Sequence, residues 1–407
     1  MLVKLSDYKK IVSPQIIGQI KTKIKKLKGK HLLFISSTHQ GGGVAEILNS
    51  LIPLFNEAGL DVGWRIVHGK EDFFETTKTI HNSLQGGKKT LTKNQQKIYY
   101  ETNKRFAKFT HINSDHDLVV VHDPQPLPLI NFYKKNQPWL FRLHLDISSP
   151  NQKTFKYLTP FIKKYDHLIV SHQNYLKKGL NMPYSIIYPA IDPLNQKNQP
   201  LPQKTVNKYL NMFGIKQKLP IISQVSRYDK WKDPSGVIDV FNKVRAKKRC
   251  QLVLLGQTAS DDPEDQKIYE LTEKKAKQSP YKKDIKVLLI NDNINPTLAN
   301  CLQQNSAVVI QKSLKEGFGL TVTEALFKKT PVVASNVGGI PLQVIDGQNG
   351  YLNKPNDIKG FAESVLKILD NKKIAQSFGE NGRQHIIDNF LITRLMLDWL
   401  NLFEKYV

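Results

Sequence analysis

The stretch SAVVIQKSLKEGFGLTVTEALFKK, residues 306–329, reads as three elements in a row. SAVVIQ is a short apolar run, the pattern of a strand buried on both faces. KSLKEGFG is polar and glycine-rich, a loop. LTVTEALFKK returns to helical spacing, with Thr321 or Thr323 near the expected cap. Strand, loop and helix in this order build a parallel α/β sheet. Ligands of such sheets sit beyond the carboxyl ends of the strands, which puts the loop of Glu316 at a site. Paired carboxylates suit acid/base cleavage of a glycosidic bond. The placement argues otherwise. Glu316 lies on the loop, where it can accept hydrogen bonds from neighbouring hydroxyls. Glu324 lies one turn into the helix, so the two flank opposite ends of a ligand. Between them the free N–H groups of the first turn can hold a diphosphate without a metal. Glu324 would also stabilise an ordinary helix near its positive end, so it assigns nothing alone.

The same alternation runs through the chain. HLLFIS (31–36), GWRIV (63–67), DLVVVH (117–122), PWLFRLH (138–144), HLIVS (167–171) and SIIYP (185–189) read as buried parallel strands separated by helix-length segments. PIISQVSR (220–227), QLVLLG (251–256), IKVLLI (285–290), SAVVIQ and PVVAS (331–335) form a second series. The expectation is an α/β protein of two doubly wound, Rossmann-like domains, 1–195 and 205–385, facing a cleft. DPLNQKNQPLPQK (192–204) between them reads as a hinge linker. LITRLMLDWLNLFEKYV at the end is an amphipathic helix, so 386–407 forms a third segment.

A chain of 407 residues suits two domains, and its 40% hydrophobic residues suffice for two cores. No apolar run reaches the roughly 20 residues that span a bilayer. The N-terminus lacks the apolar region of a secretory signal. Two cysteines, Cys250 and Cys301, support neither a disulfide framework nor a cysteine metal site, and a reducing cytoplasm is the expected setting. The formal charge of +25 would fit nucleic acid, an acidic membrane or anionic small substrates. The lysines are dispersed, with no regular interleaving of basic and aromatic residues, so nucleic acid ranks last. The densest basic cluster, 21–30, lies on a helix whose Ile17, Ile20, Ile24 and Leu27 recur at helical spacing, a face suited to packing on the first domain.

Several strand ends carry residues suited to chemistry. HQGGGVAEIL (39–48) is a glycine loop opening a helix, and its Gly42 and Gly43 let backbone approach a ligand. No Lys-Ser/Thr closes it, so it is not a P-loop. SDHD (114–117) holds a D-x-D, but at the start of a strand, the wrong edge. The other end of that strand carries Asp123 and Gln125. FRLHLDISSP (141–150) ends in His144 and Asp146, where an imidazole can hydrogen-bond sugar hydroxyls; a third metal ligand is missing at any sensible spacing. SRYDKWKDP (226–234) places Arg227 and Lys232 around one turn, able to reach one diphosphate.

Arg227 and Lys232, the E-x7-E of Glu316 and Glu324, and NVGGIPLQVIDGQNGYL resemble the retaining GT-B glycosyltransferases of family 4. GGGVAEILNSLIPL, EDFFETTKTIHNSLQGG, HDPQPLPLI, FRLHLDISSPN and IIYPAIDPL resemble, more narrowly, the trehalose glycosyltransferring synthases, with the trehalose phosphorylases as near relatives. The resemblance implies a two-domain GT-B enzyme whose last helix crosses back to the first domain. It implies that Glu316 holds donor-glucose hydroxyls, that Gly317, Phe318 and Gly319 approach the sugar, and that Leu320 and Thr321 amides hold phosphate. Glu324 would take the ribose hydroxyls, and Arg227 and Lys232 the leaving diphosphate. Gly42 and Gly43 would lie across from the diphosphate, with His144 and Asp146 near the reacting glucose, while Asn291 would frame the base. The implied substrates are a nucleoside diphosphate-glucose and glucose or trehalose. No cofactor is required, with Mg2+ at most a stimulating ion. No integral membrane association is implied, a homodimer is left open, and the alternatives are a trehalose phosphorylase using phosphate and glucose 1-phosphate or another family 4 glycosyltransferase acting at a membrane surface.

Overall fold

Branched apolar runs this short bury both faces only in a parallel sheet covered on both sides by helices. A computed structural model describes residues 3–112, 115–258 and 264–407, and it divides into two compact units. The described residues up to Ala190 form the first together with Ile392–Val407; those from Ile191 to Leu391 form the second.

The first unit follows the order α1 (Pro14–Lys26), β1 (His31–Ser36), α2 (Gly43–Glu57), β2 (Asp61–Ile66), α3 (Glu71–Leu84), α4 (Lys93–Thr110), β3 (Leu118–His122), β4 (Trp139–Arg142), α5 (Gln152–Ile162), β5 (His167–Val170) and β6 (Tyr184–Ile186). Among the described residues its six strands are all parallel, in the order β2-β1-β3-β4-β5-β6. The order reverses between β1 and β3, so the glycine loop after β1 and Asp123 after β3 border the crevice such a reversal opens.

The second unit runs α6 (Gln203–Met212), β7 (Ile221–Val225), α7 (Pro234–Arg245), β8 (Gln251–Gly256), α8 (Asp265–Gln278), β9 (Ile285–Leu289), α9 (Asn295–Asn305), β10 (Val308–Gln311), α10 (Leu320–Phe327), β11 (Val332–Ser335), β12 (Gly350–Asn353), α11 (Ile358–Asp370) and α12 (Lys372–Asn389). Its sheet is parallel, β12-β11-β10-β7-β8-β9, with the reversal between β7 and β10. Every strand expected from the sequence forms. β12 is an addition: four residues, three of them only half-buried, are too few to show a pattern.

The last helix, α13 (Ile392–Phe403), belongs to the first unit, where Trp399 and Phe403 pack on Phe34 of β1. The basic helix α1 buries Ile17, Ile20 and Ile24, and Lys23 pairs with Glu404 at 2.7 Å. Its apolar face is therefore covered by protein. Among the described residues no helix is long and apolar enough to cross a membrane. Asp117 of the D-x-D accepts from the His31 amide (2.8 Å) and Lys30 (3.0 Å), a strand-entry role; Ser114 of that motif lies outside the described residues. The stretch 192–204 is bonded along α9: Gln196 donates to Thr297 at 2.7 Å, and Asn300 donates to the Gln196 and Gln199 carbonyls.

Candidate active site

The loops after β7 and β10 meet at the reversal point of the second sheet. Lys232 Nζ lies 2.5 Å from Glu316 Oε2, with Glu316 buried and Lys232 partly so. The same oxygen accepts from Ser313 Oγ at 2.9 Å and from Gln311 Nε2 at 3.4 Å. Arg227, on the turn before Lys232, lies 4.0 Å from the buried Asp229 carboxylate, which caps the turn by accepting from the Trp231 amide at 2.8 Å.

α10 starts at Leu320, and its cap is Gly319, with φ 90° and no side-chain cap bond. Neither threonine caps it. Thr321 instead donates to Gln311 Oε1 at 3.0 Å, and the buried Thr323 donates to Gln343 Oε1 at 2.5 Å. The sequence suggested a threonine cap from side-chain preference. The chain turns here through the left-handed region, which glycine adopts without strain. A Cβ on Gly319 would stand 3.3 Å from Glu316 Cγ, so glycine also leaves Glu316 its place. The Gly317–Phe318 segment is held by Gln343, whose Nε2 donates to the Phe318 carbonyl at 2.6 Å. Leu320 and Thr321 supply N–H groups of the first turn, which have no acceptor within a helix.

Glu324 does not join this cluster. It is 1% exposed, and its Oε1 lies 2.9 Å from Lys197 Nζ while Oε2 accepts from Gln303 at 2.8 Å. Asn291 is also apart, beyond β9, where its side chain accepts from the Thr258 amide at 2.8 Å. Sequence reasoning missed Gln311, Ser313, Gln303 and Lys197. Gln311 and Ser313 flank the glutamate loop and were visible as neighbours. Lys197 and Gln303 carried no local signal.

The remaining expected residues collect in the first unit. His122 Nδ1 and His144 Nε2 are 3.0 Å apart, with stacked rings. The His144 amide donates to Asp123 Oδ1 at 2.8 Å, and Asp123 itself has φ 64°. Burial, reinforced by the Arg142 guanidinium, pushes His122 down to about 3. Burial, then Arg142 and His122, hold His144 well below its ordinary value. Arg142 is fully buried, donating to the Val170 and Ile187 carbonyls and to Ser171, and burial lowers it to about 9 despite nearby Asp123. The two imidazoles are thus neutral at physiological pH, able to exchange hydrogen bonds with hydroxyls but not to supply charge. The Pro124–Gln125 backbone is fixed from α4: Tyr99 donates to the Pro124 carbonyl and Asn103 to that of Gln125 at 3.0 Å. Gln125 Oε1 is buried without a hydrogen-bond partner among the described residues, an acceptor suited to a hydroxyl. Asp146 is buried and accepts from the Ser148 amide at 2.8 Å. Gly42, with φ 95°, precedes Gly43 at the start of α2. A separate groove of about 1000 Å³ runs beside α4 and β2, lined by Trp64, Arg65, Lys97 and Arg105 among others; none of the expected site residues borders it.

Residues 34–177 match the family described as "Trehalose synthase, N-terminal domain", and residues 207–385 match "Glycosyl transferases group 1". A trehalose synthase of Thermococcus litoralis is 42% identical over 406 residues, 99% of this chain and 97% of that protein. The chain belongs to the trehalose synthase family. Membership makes it a hexosyltransferase engaged in trehalose-related glycosyl transfer, and bears out the resemblance read from both halves of the sequence. A trehalose phosphorylase of Pleurotus pulmonarius is more distant, 28% identical over 92% of this chain and 57% of that protein. A sucrose-phosphate synthase from Thermosynechococcus elongatus has a TM-score of 0.74 at 17% identity, covering 92% of this chain and 99% of that one. The fold of this family member is therefore GT-B.

Proposed function

We propose that the chain transfers glucose from a nucleoside diphosphate-glucose to free glucose, forming α,α-1,1-linked trehalose reversibly and with retention of configuration. The observation that carries this reading is Lys232 paired with Glu316 beside the open start of α10. A leaving diphosphate there meets Lys232, Arg227 and the Leu320 and Thr321 amides, all positive. Glu316 accepts hydroxyls of the donor glucose, and Gly317–Gly319 backbone lines that sugar. The C1–phosphate bond breaks on the face where the acceptor oxygen attacks, and the acceptor's proton passes to the leaving phosphate oxygen. The charge balance needs no obligate metal, so a chelator leaves activity in place. Glu324 receives the ribose hydroxyls, which requires the Lys197 ammonium to give up Oε1. Asn291 borders the base. Gly42 and Gly43 offer backbone to the diphosphate. His144, Asp123, Gln125 and Asp146 hold sugar hydroxyls, in keeping with a neutral imidazole at His144 and with Gln125 Oε1, buried without a hydrogen-bond partner among the described residues.

The test is a donor screen: ADP-, UDP- and GDP-glucose, each with glucose, and trehalose separated chromatographically. Trehalose from at least one donor, and its breakdown by the matching diphosphate, is expected. Breakdown of trehalose by inorganic phosphate alone, giving glucose 1-phosphate, would assign the phosphorylase reaction instead. An inverted product or a trapped glucosyl-carboxylate would refute the front-face route.

A further inference from the structure

Lys232 and Glu316 sit on separate loops, and their pairing is only as good as the register between those loops. Two ties fix that register without involving either side chain. The Leu314 amide donates to the Trp231 carbonyl at 2.7 Å. The Lys312 ammonium, 2% exposed, pairs with the Asp233 carboxylate. Lysine is almost never fully buried, and an apolar residue of similar length often serves stability as well as a buried ion pair does. Stability alone therefore gives no reason for a lysine here.

Asp233 ties three parts together. Its Oδ1 accepts from the Gly236 amide at 2.9 Å and caps α7, its Oδ2 receives Lys312, and its backbone, at φ 47°, directly follows Lys232. Gly236 leaves room for this: a Cβ there would collide with both the Asp233 carboxylate and the Lys312 ammonium. The Lys232 carbonyl is held as well, by Gln224 Nε2 at 2.9 Å. The turn carrying Lys232 is thus clamped on its backbone, and Lys312 brings a charged side chain of the Glu316 loop into that clamp.

We infer that Lys312 is a positioning residue: through Asp233 it sets where the Lys232 ammonium stands against Glu316 and the diphosphate. The inference rests on the donor-site reading above. An angstrom of misplacement in such a site costs about a hundredfold in rate.

The test uses the full chain and the pair of changes Lys312→Met with Asp233→Asn. Asparagine still caps α7 and tolerates the left-handed backbone, and methionine leaves no unpaired buried charge, so the double variant is built to fold. Its turnover is expected to fall about tenfold to a hundredfold with the acceptor KM unchanged. In a Lys232→Met background the same two changes are expected to cost less than about threefold, because the group they position is gone. Losses that add in full overturn the inference, as would a double variant within about twofold of wild-type turnover, since neither fits action through Lys232. Affinity for ADP, UDP and GDP, measured by titration calorimetry on the same four proteins, separates the two readings. If wild type binds a nucleoside diphosphate but makes no trehalose, the masking pattern is read on affinity and only the assigned reaction falls. If it binds none of them, the diphosphate role of Lys232 and the inference fall together.

Discussion

One carboxylate oxygen of Glu316 takes Lys232, Ser313 and Gln311 at once. In the proposed reading Glu316→Ala removes the contact to the donor sugar and releases Lys232, so turnover is expected to fall by about a hundredfold or more. Glu324, buried between Lys197 and Gln303, acts on the nucleotide in the proposed reading. Glu324→Ala is accordingly expected to weaken nucleotide affinity by about tenfold and to change turnover less. Equal turnover losses with an unchanged donor constant would overturn this division. The histidine pair makes a separate prediction. His122 has a folded value of about 3 against an unfolded 6.5, so on acidification the unfolded chain takes the proton first. Its neutral form stabilises the fold above pH 6.5, and that contribution is lost as pH falls from 6.5 towards 3, with a slope of up to about 1.4 kcal/mol per pH unit. His122→Gln should flatten the acid limb of stability against pH, measured by urea unfolding between pH 7 and about 4.5. An acid limb as steep as that of wild type would mean that His122 is protonated while folded.

Strands were the legible elements. Runs such as LVVVH and QLVLLG have the branched, continuous apolar character that only a doubly covered strand needs, and each is buried end to end. Helix starts were less legible, because two rules compete at them. At α10 the threonines obey side-chain capping statistics, but the chain must turn from the loop into the helix through φ 90°, and that requirement selects Gly319. Gly319→Ala should therefore cost about 1–2 kcal/mol in denaturant unfolding for the left-handed backbone. Its methyl, 3.3 Å from Glu316 Cγ and 3.4 Å from Ile340 Cγ1, should also displace Glu316 and, on the proposed reading, lower turnover. A variant that keeps full activity while losing stability would show that Glu316 tolerates the shift.

Over the whole chain, the candidate site was legible where it depends on strand direction and illegible where it depends on strand order. Parallel strands put Arg227, Lys232 and Glu316 at one edge whatever their order, so those residues could be named from local pattern. Lys197 reaching Glu324, and β7 lying beside β10, depend on pairings far apart in the chain that no local window contains. The end of the chain is a case of the same kind. α13 reads locally as an amphipathic helix; its return to the first domain was implied by the resemblance alone, and the side chains it packs on become clear only in the fold. Trp399, 2% exposed, stacks on Phe403, packs on Phe34 at 5.5 Å and lies 6.0 Å from the His122 ring. Trp399→Ala should cost about 3–5 kcal/mol, because the helix cannot close over so large a cavity. His122 would lose a wall of its cage, and through the 3.0 Å bond to His144 the imidazole pair would loosen. Turnover per folded molecule should then fall, measured well below the unfolding midpoint, while Trp399→Phe should keep most of both properties. Full turnover in the folded fraction of Trp399→Ala would mean that α13 braces the first unit without setting the geometry of the histidines.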